Sequence, residues 1–154
     1  MLENRRSEKK DEMLAEEAAD DRSLMPLLGL AFWRMKHAFE REVGLSVATW
    51  FLLSMIIEED GISQGEVSHK FEVDPSRITR LAQRLEGEGL LRRERDPGDN
   101  RVVRLYVSEE GRLLIESCQE RREEFEDRFR REFSSEELAE FRRALGVVSR
   151  LMKD

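Results

Sequence analysis

A mainly α-helical fold carrying one small β-hairpin is predicted by three observations. Apolar residues recur at three- and four-residue spacing through most of the chain, in segments that from Ser46 onward begin at helix-capping signals. One stretch breaks that rhythm: Asp96-Pro97-Gly98-Asp99-Asn100 is a turn-rich cluster between extended runs at 90–95 and 101–107. Just before it, Pro75–Glu86 sorts its apolar residues onto one helical face and Ser, Arg, Thr and Gln onto the other.

The elements follow in order. Residues 1–22 are highly charged and have no sustained apolar stripe, so a disordered extension or frayed helix is expected there. From Leu24 the stripe Leu28, Ala31, Met35 and Ala38, widened by Phe32 and Phe39, predicts a helix to about Glu42, ended by Gly44. Ser46, with Leu45 and Trp50 as a hydrophobic staple, starts a helix over 46–60. Ser63 and Glu66 form a capping box for 63–71, and Asp74 followed by Pro75 caps 75–88. After the hairpin, Ser108 caps a long helix on which Leu114, Cys118, Phe125 and Phe129 share one side. Ser134 and Glu137 box a last helix over 134–152, where Leu138, Phe141, Leu145, Val148 and Met152 make a heptad-like seam.

That order describes a winged helix-turn-helix at 46–107, in an α+β fold whose only sheet is the wing. The flanking segments, 23–45 and 108–154, form a helical region with more apolar stripe than so small a domain can cover. A second copy supplies the missing partner, so 23–45 and 108–154 are expected to be a dimerisation region and the protein a homodimer.

Composition narrows the function. Charged residues make up 40% of the chain and the net charge is −7, yet 68–104 carries nine bases against seven acids. Phosphate contact is therefore expected only in that stretch. No apolar run is long enough to span a membrane, the N-terminus lacks an apolar signal-peptide core, and a single cysteine suits a reducing cytoplasm. Nothing resembles a nucleophile–base pair, a phosphate-binding glycine loop or metal-ligand spacing, so neither an enzyme nor a cofactor is expected. His37, His69 and the lone cysteine are too far apart in sequence to suggest a metal site.

The chemistry concentrates on 75–86. With Ile78, Leu81, Ala82 and Leu85 inward, Ser76, Thr79, Arg80 and Gln83 lie opposite and Arg77 and Arg84 flank them, with no acid between Pro75 and Leu85. Arginine reads guanine O6 and N7, glutamine reads adenine, and small hydroxyls reach base edges or phosphate. On the wing, Arg101 is placed to enter a minor groove, where negative potential is focused. Asp99 is expected to stabilise the wing by pairing with a nearby arginine such as Arg92 or Arg93. Among Arg92, Arg93, Arg95 and Arg104, strand register decides which reach phosphate; Arg95 joins Arg101 as a candidate DNA contact. The alternative is a winged helix repurposed for protein contacts, or an antirepressor that binds no DNA.

Over about 46–115 the chain resembles the MarR family of transcriptional regulators. The resemblance rests on Gln64-Gly65-Glu66-Val67, Asp74-Pro75-Ser76-Arg77-Ile78-Thr79-Arg80-Leu81, Leu85-Glu86 with Gly89-Leu90-Leu91, Asp99-Asn100-Arg101, and Val107-Ser108-Glu109-Glu110-Gly111. It implies a dimer that binds a palindromic operator, usually as a repressor, with Ser76, Arg77, Thr79 and Arg80 on the recognition helix and Asp99 and Arg101 on the wing. Asn100 stands where the family usually has a basic residue, which weakens the wing's grip on phosphate. Ser108 replaces a threonine and still caps. The resemblance also implies release of DNA by a small effector, commonly aromatic and anionic. Trp33, His37 and Trp50 are the candidate lining for it, against the plainer reading that the tryptophans pack the core and His37 is a surface or hydrogen-bonded histidine. Some relatives sense oxidants through cysteine; Cys118, on an apolar helical face, is expected to be a buried small residue.

Overall fold

A computed structural model of the chain describes residues 24–152; the N-terminal extension expected at 1–22 lies outside them. The elements are α1 (Met25–Val43), α2 (Val47–Glu58), α3 (Gln64–Phe71), α4 (Pro75–Gly87), β1 (Leu91–Arg95), β2 (Val103–Val107), α5 (Glu109–Glu132) and α6 (Ser135–Leu151). From α2 onward the helix starts coincide with the capping signals. Ser46 accepts from Thr49 N, Asp74 from Ser76 N and Ser108 from Gly111 N, and both capping boxes close reciprocally. No helix among the described residues is long and apolar enough to cross a membrane.

The chain divides at Ala38/Phe39 into two compact units. In the first, the start of α1 leaves Leu24, Met25, Phe32, Trp33 and Met35 exposed. Trp33 meets Phe32 edge-on and stacks against His37, their ring centroids 5.9 Å apart in each case.

In the second unit the core gathers Leu52, Leu53 and Ile56 of α2, Ile62, Val67 of α3, Ile78, Ala82 and Leu85 of α4, and Leu91, Leu105 and Val107 of the hairpin. Each large side chain buried there contributes roughly 1.5–3 kcal/mol. The strands pair antiparallel in the register Leu91↔Val107 to Arg95↔Val103. A third extended segment docks on β2: Gly61 N donates to Leu105 O and Leu105 N to Ile62 O. Gly61 is required there, with φ +81° and the Tyr106 ring 3.2 Å from where a β-carbon would stand.

One expectation is corrected in detail. The second strand begins at Val103, not Arg101, because Asp99 holds the chain in a turn: its carboxylate accepts from Arg101 N and its carbonyl from Val102 N. No residue of α6 is buried, and Phe141 and Leu145 on its seam remain nearly half exposed.

Candidate nucleic-acid interface

The placement of α4 follows from its two faces. Ile78, Ala82 and Leu85 are buried and Leu81 is half-buried, which fixes the rotation of the helix about its axis. Ser76, Arg77, Arg80 and Gln83 are consequently exposed on the far side. The Arg77 and Gln83 side chains make no hydrogen bond or ion pair among the described residues, whereas Arg80 reaches back to Ser76 Oγ at 3.4 Å. That contact is long and exposed, so a base or phosphate can replace it at little cost. At the helix start, hydrogen bonding to Ser76 holds the Asp74 carboxyl below its ordinary range, keeping the cap ionised.

Two predicted contacts point partly elsewhere. Thr79 is half-buried; its hydroxyl donates to Pro75 O at 3.0 Å and lies 3.4 Å from Gln64 Oε1. Its hydroxyl proton is thus turned toward protein. Arg84 donates to Thr49 Oγ1 at 3.0 Å and lies 3.7 Å from Glu88, bracing α4 against α2. Gln64, which the sequence offers only as part of a motif, takes part as well. Its amide nitrogen is buried with no hydrogen-bond partner among the described residues, while its amide oxygen faces the Thr79 hydroxyl. Its position as the first residue after a capping serine was the available signal.

In the wing, the arginines divide by partner. Arg93 is held by Glu86 at 2.8 Å, and that bond keeps the Glu86 carboxyl below its usual range. Arg92 pairs with Glu94 and lies over the Tyr106 ring. Arg104 is bonded to Asp96 and donates to Gly61 O at 2.9 Å. Three of the four uncertain arginines therefore serve the protein itself. Arg95 donates to Asn100 O across the exposed loop, and Arg101 stands at the tip with no side-chain bond among the described residues.

The expected pairing of Asp99 with Arg92 or Arg93 is not made; the Asp99 carboxylate accepts from the Arg101 amide instead. Arg92 and Arg93 are already bound by Glu94 and Glu86 on the strand and on α4. The acid that takes an arginine is Asp96, which bonds Arg104 and also accepts from Gly98 N and Asp99 N, so its carboxyl is held low.

The candidate effector residues fall in separate units. Trp33 and His37 belong to the first, where both are exposed, and Trp50 to the second. Trp50 lines a cleft of about 400 Å³ together with Ser54, Ile57, Glu58, Ile115, Gln119 and Arg122. The Arg122 guanidinium lies over the Trp50 ring, 5.8 Å from its centroid. Cys118 is buried, and its sulfur receives a hydrogen bond from Arg121 at 3.4 Å.

The model of the MarR family matches residues 45–103. Among curated relatives, the uncharacterized HTH-type transcriptional regulator YdgJ of Bacillus subtilis is 35% identical over 114 residues, covering 73% of this chain and 67% of the relative. A crystal structure of MarR superposes with a TM-score of 0.70 at 30% identity, covering 85% of this chain and 91% of that one. A cysteine-to-serine mutant of MarR from E. coli, complexed with operator DNA, shares the fold with a TM-score of 0.76 at 20% identity, over 81% of this chain and 92% of that one.

Proposed function

The chain belongs to the MarR family of DNA-binding transcriptional regulators, which are not enzymes, and from that premise we propose that it acts as a homodimeric repressor on a pseudo-palindromic operator. In this reading α4 enters the major groove with Ser76, Arg77, Arg80 and Gln83 toward base edges and phosphates. Arg101 enters the adjoining minor groove, and Arg95 and the Thr79 methyl contribute from the margins. A small aromatic effector in the cleft beside Trp50 releases the DNA. The protein works in the cytoplasm, where its operator is.

One observation carries the reading: the outward row of α4 is exposed and free of acids, while the opposite face is locked into the core. The homodimer is supported by the apolar side chains left open on α1 (Phe32, Trp33 and Met35) and on α6 (Phe141 and Leu145), each described within its own unit.

The test is binding to duplex DNA from the gene's own upstream region as a function of salt. Affinity should fall steeply, with a logarithmic slope of about 0.9 per phosphate neutralised. A footprint should show two half-sites separated by about one helical turn. A flat salt response would instead favour a winged helix that contacts protein.

A further inference from the structure

We propose that the cleft beside Trp50 takes a small aromatic cation, an arylalkyl ammonium, in preference to an aromatic carboxylate. The inference rests on reading this cleft as an effector site and revises the charge that the family resemblance implies for the ligand.

Its size suits a single-ring molecule with a short tail, since binding clefts run from roughly 300 Å³ upward and this one holds about 400 Å³. The walls that would hold the ring are Trp50, Ile57 and Ile115. What decides the sign of the ligand is the state of the polar groups. Arg122 donates to Glu126 at 2.6 Å and lies 3.8 Å from Glu123. Gln119, whose side-chain amide is another N–H donor of the lining, is bound to Glu123 at 3.0 Å. Arg130, about two turns further along α5 than Arg122, is divided between Glu126 and Asp127. Both guanidiniums are thus matched by acids of their own helix.

Glu58 is the exception. Glu58 lines the cleft from the end of α2, and its carboxylate has no hydrogen bond or ion pair among the described residues. An entering carboxylate would have to take Arg122 from Glu126 while standing beside this uncompensated charge. An ammonium meets an acid that is free to receive it. The Trp50 indole, over which Arg122 already lies, offers the ligand's ring an aromatic wall.

The experiment compares two probes of similar size, 2-phenylethylamine and 3-phenylpropionate, on the full chain. Trp33→Phe leaves Trp50 as the only tryptophan, so its fluorescence reports the cleft. The amine should bind about tenfold more tightly than the acid, as a partly solvated ion pair allows. Glu58→Gln should abolish that preference. Equal or tighter binding of the acid, failure of the amine to perturb Trp50, or a preference that survives Glu58→Gln would each overturn the proposal. Operator binding is measured alongside. If the amine occupies the cleft through Glu58 and DNA affinity does not change, the charge assignment stands and the effector reading fails.

Discussion

Replacing Gly111 with alanine sets two effects of opposite sign against each other. On helix propensity alone the change should stabilise α5 by up to about 1 kcal/mol. Packing predicts the reverse. A β-carbon at Gly111 would stand 2.1 Å from Leu90 O and 2.8 Å from Val107 Cγ2, whereas such contacts do not fall below 3.0 Å. The Leu90 carbonyl must therefore retreat by about 1 Å, and it is not free to do so. It accepts from Ser108 N at 3.1 Å, Leu90 N is bonded to Leu85 O, and Ser108 Oγ donates to the neighbouring Gly89 O at 2.7 Å. Losing the Ser108 N bond costs about 1 kcal/mol, weakening the Ser108 cap about another, and overpacking about 1–3 kcal/mol. The net expectation is a loss of about 2–4 kcal/mol. At a urea dependence of about 2 kcal/mol per molar, the unfolding midpoint should fall by about 1–2 M. Protomer concentration must be held fixed for a chain read as a dimer. An unchanged or higher midpoint would refute the close approach of α5 to the root of the wing.

Arg80→Ala should relax base preference at one operator position and cost about 1–3 kcal/mol in binding; equal weakening on all sequences would make Arg80 a phosphate contact. Arg101→Ala should lower operator affinity and leave the sedimentation of the protein unchanged, and unaltered affinity would remove the wing tip from the interface. Stability should decline on acidification. Hydrogen bonds from Arg104 to Asp96, from Arg93 to Glu86 and from Arg128 to Glu42 hold these carboxyls below their ordinary values of 3.8 for Asp and 4.5 for Glu. The unfolded chain then takes up protons first, so their contribution is complete above about pH 5 and is lost as pH falls through the depressed values. A urea midpoint that does not move between pH 6 and pH 3.5 would contradict those pairings.

The helix starts were legible because capping is local: Ser46, Ser63, Asp74, Ser108 and Ser134 each bond an amide two or three residues ahead. The outward row of α4 was legible for a related reason, since 3.6-residue periodicity settles which side chains share a face once the apolar ones are buried. Arg121 beside Cys118 is a three-residue step that the same geometry could have shown. The wing was harder. The sequence offers Asp99 as the acid that pairs with an arginine, but strand pairing and turn geometry give that arginine to Asp96.

By itself, then, the chain determined its elements, their caps and the chemistry displayed on α4, because each depends on neighbours within one or two turns. Only the tertiary structure decided which arginines are free. Arg84 finds Thr49 at a separation of 35 residues, and Arg104 finds the Gly61 carbonyl 43 residues away. It also brought Glu58 of α2 beside Gln119 and Arg122 of α5 to make the cleft. Local periodicity fixes the direction of a side chain; what stands in that direction depends on how distant segments pack, which no short window of sequence contains.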